Sequence, residues 1–189
     1  MHRKTAIVLV VALVVAALPS AASTFLARTP EELVADSSAV VTGKVVSVES
    51  FWDENHTIIV SEIVLQVERT VVGQAPEFVT LRLAGGTVDD YTVVAHGFPT
   101  FTEGERALVF VSPDAKIAER FKVAGYQQGH YRIVTNRFGE EIAIPTVDNN
   151  VQLVGAGQES SHARKPMRLV DFEQRLRDAA RNQRFTLTQ

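Results

Sequence analysis

Between Ser38 and Leu83 the chain reads as three β-strands in succession, Ala39 to Ser50, Thr57 to Val72 and Phe78 to Leu83, and no other stretch restricts the fold as much. In the middle strand Ile59, Ile63, Leu65, Val67 and Val71 fall on one side of a period-two alternation, while Glu62, Gln66 and Glu68 fall on the other. Such a segment has one buried face and one wet face. A run of about fifteen residues far exceeds the usual five or six, so it must coil and serve two parts of a closed or nearly closed sheet. A small, mainly antiparallel barrel is expected, with Ile63, Leu65, Val67, Leu81, Leu83, Leu108 and Phe110 buried in one core.

The first residues set the compartment. His2, Arg3 and Lys4 precede an uncharged run from Thr5 to Leu18, followed by Pro19, Ser20, Ala21 and Ala22, which is the order of a secretory signal peptide. The apolar run is shorter than the roughly twenty residues of a membrane-spanning helix, and nothing after Leu18 is apolar for long enough to span. Residues 1–22 are therefore expected to be removed, leaving Ser23 to Gln189 as a secreted or periplasmic protein with no stable membrane span. The chain has no cysteine, so an exported form must be held by packing alone, a pattern more typical of a bacterial envelope or secreted protein. Residues 23–161 carry 10 basic and 19 acidic side chains, which makes the body a poor host for a phosphate backbone and argues against nucleic acid as a partner.

Thr29-Pro30-Glu31-Glu32 is a helix start, with Thr as N-cap, Pro in the first turn and Glu32 closing a capping box. Gly43, among β-branched residues, marks a bulge or barrel corner. Phe51 and Trp52 lead into the polar turn Asp53 to His56, Gly73 to Pro76 ends the long strand, and Gly85 to Asp90 reads as a flexible loop before a weak strand at Tyr91 to Ala95. Phe98 and Phe101 belong to a connection expected to dock on the barrel mouth, and Ala107 to Val111 is a continuous apolar, central strand. Short strands follow at Phe121 to Ala124, His130 to Thr135 and Glu141 to Ile144. The expected organisation is a barrel over 23–147, a flexible linker over 148–167 and a C-terminal segment 168–189. Leu169, Phe172 and Leu176 give that segment a helical apolar stripe suited to covering the barrel.

Four stretches carry a resemblance. Asp36-Ser-Ser-Ala-Val-Val-Thr-Gly-Lys-Val-Val-Ser-Val48, Ile63-Val-Leu-Gln-Val-Glu-Arg-Thr-Val-Val-Gly73, Phe78-Val-Thr-Leu-Arg-Leu83 and Gly104-Glu-Arg-Ala-Leu-Val-Phe110 resemble the netrin-like module of the tissue inhibitors of metalloproteinases. The resemblance spans Ser23 to about Val111 and implies an OB-fold-like barrel with flanking helices. It also implies a role for the mature amino terminus, because in that family the α-amine and first carbonyl chelate the zinc of the protease. Family members tether that arm with disulfides, which this chain does not have.

No His-Glu-x-x-His helix, Gly-x-Ser-x-Gly elbow, phosphate loop or cysteine pair occurs, so no catalytic residue, metal ligand or cofactor is assigned. His56, His96, His130 and His162 lack ligand spacing and read as surface or strand-end residues. The expectation is an exported, non-catalytic protein-binding module, an inhibitor or partner of a secreted zinc metalloprotease; the alternative is an oligosaccharide- or peptide-binding OB-fold protein of the cell envelope. Its binding rim is expected at Ser23, Thr24 and Phe25, at Phe51, Trp52 and His56, and at Gly85, Gly86 and Thr87.

Overall fold

A computed structural model describes residues 23–147, 151–155 and 165–186. The expected signal peptide and much of the expected linker lie outside these residues. The elements run β1 (Ser23–Leu26), α1 (Pro30–Asp36), β2 (Ala39–Trp52), β3 (Ile59–Gly73), β4 (Phe78–Ala84), β5 (Gly86–Val88) and β6 (Tyr91–Val93). They continue with β7 (Arg106–Pro113), β8 (Phe121–Val123), β9 (His130–Thr135), β10 (Glu141–Pro145), β11 (Val151–Val154), β12 (Met167–Arg168) and α2 (Leu169–Thr186). No helix among the described residues is long and apolar enough to cross a membrane.

Five strands close into a barrel in the ring order β2, β3, β4, β8, β7 and back to β2. All neighbours are antiparallel except β4 and β8, which meet in parallel where Leu81 faces Phe121. This is an OB-fold-like barrel. One edge of β7 forks: Val111 to Pro113 pair with β8 and close the barrel, whereas Ala107 to Val109 pair with β9 and begin a wing of β9, β10 and β12.

The long hairpin of β2 and β3 coils through three register shifts. Val46 is extra on β2, between the pairs Val45–Leu65 and Ser47–Val64, while Glu68 and Val71 are extra on β3. Each bulge adds twist and turns the following side chains over. Gly43 sits at one of these shifts, where a Cβ would lie 2.5 Å from the Gln66 carbonyl oxygen, so only glycine fits the corner.

The bulges correct the expectation of one core. Ile63, Leu65, Leu81 and Leu83 fill the barrel with Val41, Val79 and Val109. Leu108 and Phe110 are fully buried, but on the opposite face of β7, where they join Val40, Val71, Tyr131, Leu169, Phe172 and Leu176 beneath the helices. Val71 shares the parity of Leu65, yet the bulge at Glu68 between them sends it to the other cluster. Val67 is half-buried at the barrel end.

Both helices start as their sequences imply. Thr29 Oγ1 accepts from Glu32 N at 3.2 Å and Thr29 N donates to Glu32 Oε2 at 2.8 Å, the reciprocal capping box. In α2 Phe172 packs 4.6 Å from the Tyr131 ring centroid, and the buried Glu173 accepts from Arg69 of β3 at 2.6 Å, locking helix to barrel. The stretch read as a linker contains β11, which runs parallel to β1 from Ser23 opposite Val151 to Leu26 opposite Val154.

Candidate functional site

The barrel has one open end, and the lengths of three strands explain it. β7 begins at Arg106, opposite Lys44 of β2 and next to the pairing of Ala107 with Arg132 of β9, whereas β2 runs on to Trp52 and β9 to Thr135. Past the start of β7 its two neighbours diverge with no strand between them. The space is roofed by the β5–β6 hairpin and by residues 95–101, and the result is a cleft of about 790 Å³, in the range of small-ligand sites. Val48, Ile63 and Leu83 form its floor, Val134 and Ile144 of the wing one wall, and Phe98 and Phe101 another. The aromatic docking expected for Phe98 and Phe101 is found here.

Gly85 and Gly86 let the chain cross the barrel mouth. The Ser61 hydroxyl donates to the Gly85 carbonyl at 2.7 Å and lies 2.9 Å from the Ser50 hydroxyl. A Cβ on Gly86 (φ +139°) would come within 2.4 Å of Ser50 Oγ and 2.5 Å of Ser61 Oγ. What reads as a flexible loop is therefore the strand β5, paired with β6 through Thr87 and Thr92, whose hydroxyls are 2.9 Å apart.

At the tip of the β2–β3 hairpin Trp52 stacks on His56, with centroids 6.3 Å apart and planes 8° from parallel, and meets Tyr91 of β6 edge-on at 5.8 Å. Asp53 fixes this tip. Its Oδ1 accepts from Thr57 N at 2.6 Å and Ile58 N at 3.0 Å, and its Oδ2 accepts from the Thr57 hydroxyl at 2.9 Å. The backbone amide of Ile58 and these further donors hold the Asp53 carboxyl below its ordinary range. Trp52, His56, Gly85, Gly86 and Thr87 of the expected rim thus come together.

The other rim residues lie elsewhere. Phe51 has the opposite strand parity and lies under the Arg82 guanidinium, 5.3 Å from its ring centroid. Ser23 to Phe25 form strand β1 beside β11 rather than a projecting arm. Phe25 packs 5.0 Å from Tyr126, which in turn meets Phe98 edge-on at 5.0 Å, so β1 reaches the cleft only through the aromatic that backs it. The Gln128 amide nitrogen donates to the Leu26 carbonyl at 3.0 Å, and its oxygen accepts from Arg28 N at 2.8 Å.

A polar group behind the cleft wall has no counterpart in the expected rim. His130, at the start of β9, is fully buried rather than at the surface. Its Nε2 lies 3.0 Å from Glu105 Oε1 and its Nδ1 lies 2.9 Å from the Thr146 hydroxyl, with Phe101 packed against the ring at 4.2 Å. Arg132 completes the row, its Nε 3.5 Å from Glu105 Oε2. Burial pushes the His130 imidazole below its ordinary value, against the pull of Glu105. For Glu105 burial acts upward, but the hydrogen bond and charge of His130, with the charge of Arg132, outweigh it and hold the carboxyl low. Glu105 and His130 stand 25 residues apart and meet only through the register of β7 on β9, which no local pattern announces.

Among the described residues no group of three or more His, Cys, Asp or Glu side chains is placed to hold a metal ion, and His96 is exposed on the cleft rim. No protein-family model matches the chain, and no curated protein matches it significantly.

Proposed function

We propose that the chain is an exported, non-catalytic protein-binding module that engages its partner at the open end of the barrel. The observation that carries this reading is the convergence there of a preformed cleft with the Trp52–His56–Tyr91 cluster. Aromatic side chains on rigid supports lose little entropy on binding and dominate interface energetics. Export follows from the order of charge, apolar run and small residues in 1–22.

A second reading, inhibition of a secreted zinc metalloprotease through the amine of Ser23, is favoured by one feature. The tether that disulfides give to related arms has a non-covalent substitute in β11, the Phe25 packing and the two Gln128 hydrogen bonds. The oligosaccharide alternative draws on the same Trp52 and Tyr91 faces.

Two experiments separate these readings. A photo-crosslinking residue at Thr87 in the exporting cell should yield adducts to an extracytoplasmic protein, lost in Trp52→Ala. Equal adduct yield in Trp52→Ala, or from a control position such as Arg177 on α2, would remove the open end as the site. The purified mature chain, with and without one residue added before Ser23, is titrated in parallel against secreted zinc proteases; equal potency of the two forms rules out chelation by the amine.

A further inference from the structure

The proposal concerns what the cleft selects, and it rests on the binding-module reading. We infer that the cleft receives the C-terminal end of an extended peptide with an apolar last residue, and that Arg132 reads its carboxylate. Charge is the first argument. The chain has 22 acidic side chains, yet no Asp or Glu is among the described residues lining the cleft, where the ionisable groups are Arg132 and His96. In an acidic body, a concavity cleared of carboxylates admits an anion that the rest of the surface repels.

Arg132 is also held for the task. Its contact with Glu105 uses Nε, so the two terminal nitrogens remain for a ligand, and its side chain is 52% exposed although it lines the cleft. Glu105 is only 6% exposed and is tied from behind by His130, which is tied in turn to Thr146. The carboxylate of Glu105 is thus shared between the His130 ring, which it meets by a hydrogen bond, and the charge of Arg132, and it leaves Arg132 part of its charge. A planar guanidinium whose ion-pair partner lies beside its Nε is suited to bidentate capture of a carboxylate through its terminal nitrogens.

The remaining walls favour a peptide over an alkyl chain. Thr100 presents an exposed hydroxyl among Val48, Phe98, Phe101 and Val134, and an alkyl chain would strip it of water without replacing the hydrogen bond. A peptide amide replaces it. β6, which lines the cleft, has β5 as its only strand neighbour among the described residues, leaving an edge beside which an extended chain can lie.

The test measures fluorescence anisotropy of the mature chain with a pool of fluorescein-labelled hexapeptides ending in Leu or Phe, as free acids and as C-terminal amides. The free acids should bind about tenfold or more tightly than the amides, Arg132→Gln should bring the two within about twofold, and Thr100→Trp, which plugs the cleft from an exposed position, should abolish both. Thermal midpoints establish that both variants fold, and the acid-to-amide ratio of the unaltered chain decides the matter even if one does not. Equal binding of acids and amides that is lost in Thr100→Trp overturns carboxylate selection while leaving the cleft as a site. Binding insensitive to Thr100→Trp overturns the cleft as well. Displacement of the free acids by decanoate as effectively as by unlabelled peptide overturns the peptide as occupant, and no binding by any peptide overturns the inference outright.

Discussion

His130 is a basic side chain that the fold takes wholly out of water, and its one acidic neighbour among the described residues, Glu105, has a second cation to serve in Arg132. Burial sets its folded value below the ordinary 6.5 at which the unfolded chain titrates. The unfolded state then binds the proton more tightly, so the contribution to stability is complete above about 6.5 and declines as pH falls from there toward the folded value. Glu105 acts in the same sense at lower pH: its folded carboxyl titrates below the ordinary 4.5, so its contribution holds above that value and is lost as pH falls through the folded one. The urea midpoint should therefore drop between pH 7.5 and 5.5. In His130→Gln, which keeps a polar side chain without a titrating ring, the drop should be smaller. An equal drop in the variant would assign the titration to another group.

Among the elements, the β5–β6 hairpin shows best which parts of the fold can be read locally. Gly86 holds φ +139° against two serine hydroxyls, so Gly86→Val should cost about 1–3 kcal/mol by crowding and by backbone strain, measured by urea denaturation. A change within about 0.3 kcal/mol would mean that the hairpin does not close the mouth as described. β5 escaped the sequence reading because a three-residue strand that begins with glycine carries no alternation to detect, and its pairing with β6 is visible only in space. β2 and β3 were legible because an element of fourteen or fifteen residues repeats its pattern several times before a bulge disturbs it. The capping box of α1 was legible because its partners are three residues apart. The cleft behaves differently: the Trp52 tip was foreseeable as a turn and the Gly85–Thr87 segment reads only as a loop, whereas Arg132, Glu105 and Thr146 gain their meaning only from the strand register that brings them together. Phe51 was misplaced for a related reason, since adjacent aromatics on a strand face opposite sides and the bulge at Val46 decides which of the two lies on the side of Val48 and Ser50, which line the cleft.

For the molecule as a whole, the question is whether a barrel core and a helix-covered core make one folding unit or two. Three strands belong to both: β3 gives Ile63 and Leu65 to the barrel and Val71 to the other cluster, and β2 and β7 divide face by face. β2 sends Val40 outward and Ala39 and Val41 inward, and β7 sends Leu108 and Phe110 outward and Ala107, Val109 and Val111 inward. Neither cluster can open without stripping a face from the strands that support the other, so unfolding should be all-or-none. Leu65→Ala in the barrel should cost about 2–5 kcal/mol and Phe172→Ala under the helix about 3–5 kcal/mol, both residues being fully buried. Each should lower one shared transition. Trp52, the single tryptophan, reports on the open end of the barrel through its fluorescence, and far-UV circular dichroism reports on the helices, dominated by α2. In both variants the two signals should move together along the urea axis, because a loss in either cluster weakens β2 and β7 and is felt at once in the other. If Leu65→Ala shifted the tryptophan transition while the helical signal kept its original midpoint, the barrel and its helical cover would be separate units, and the shared strands would transmit less than their geometry implies.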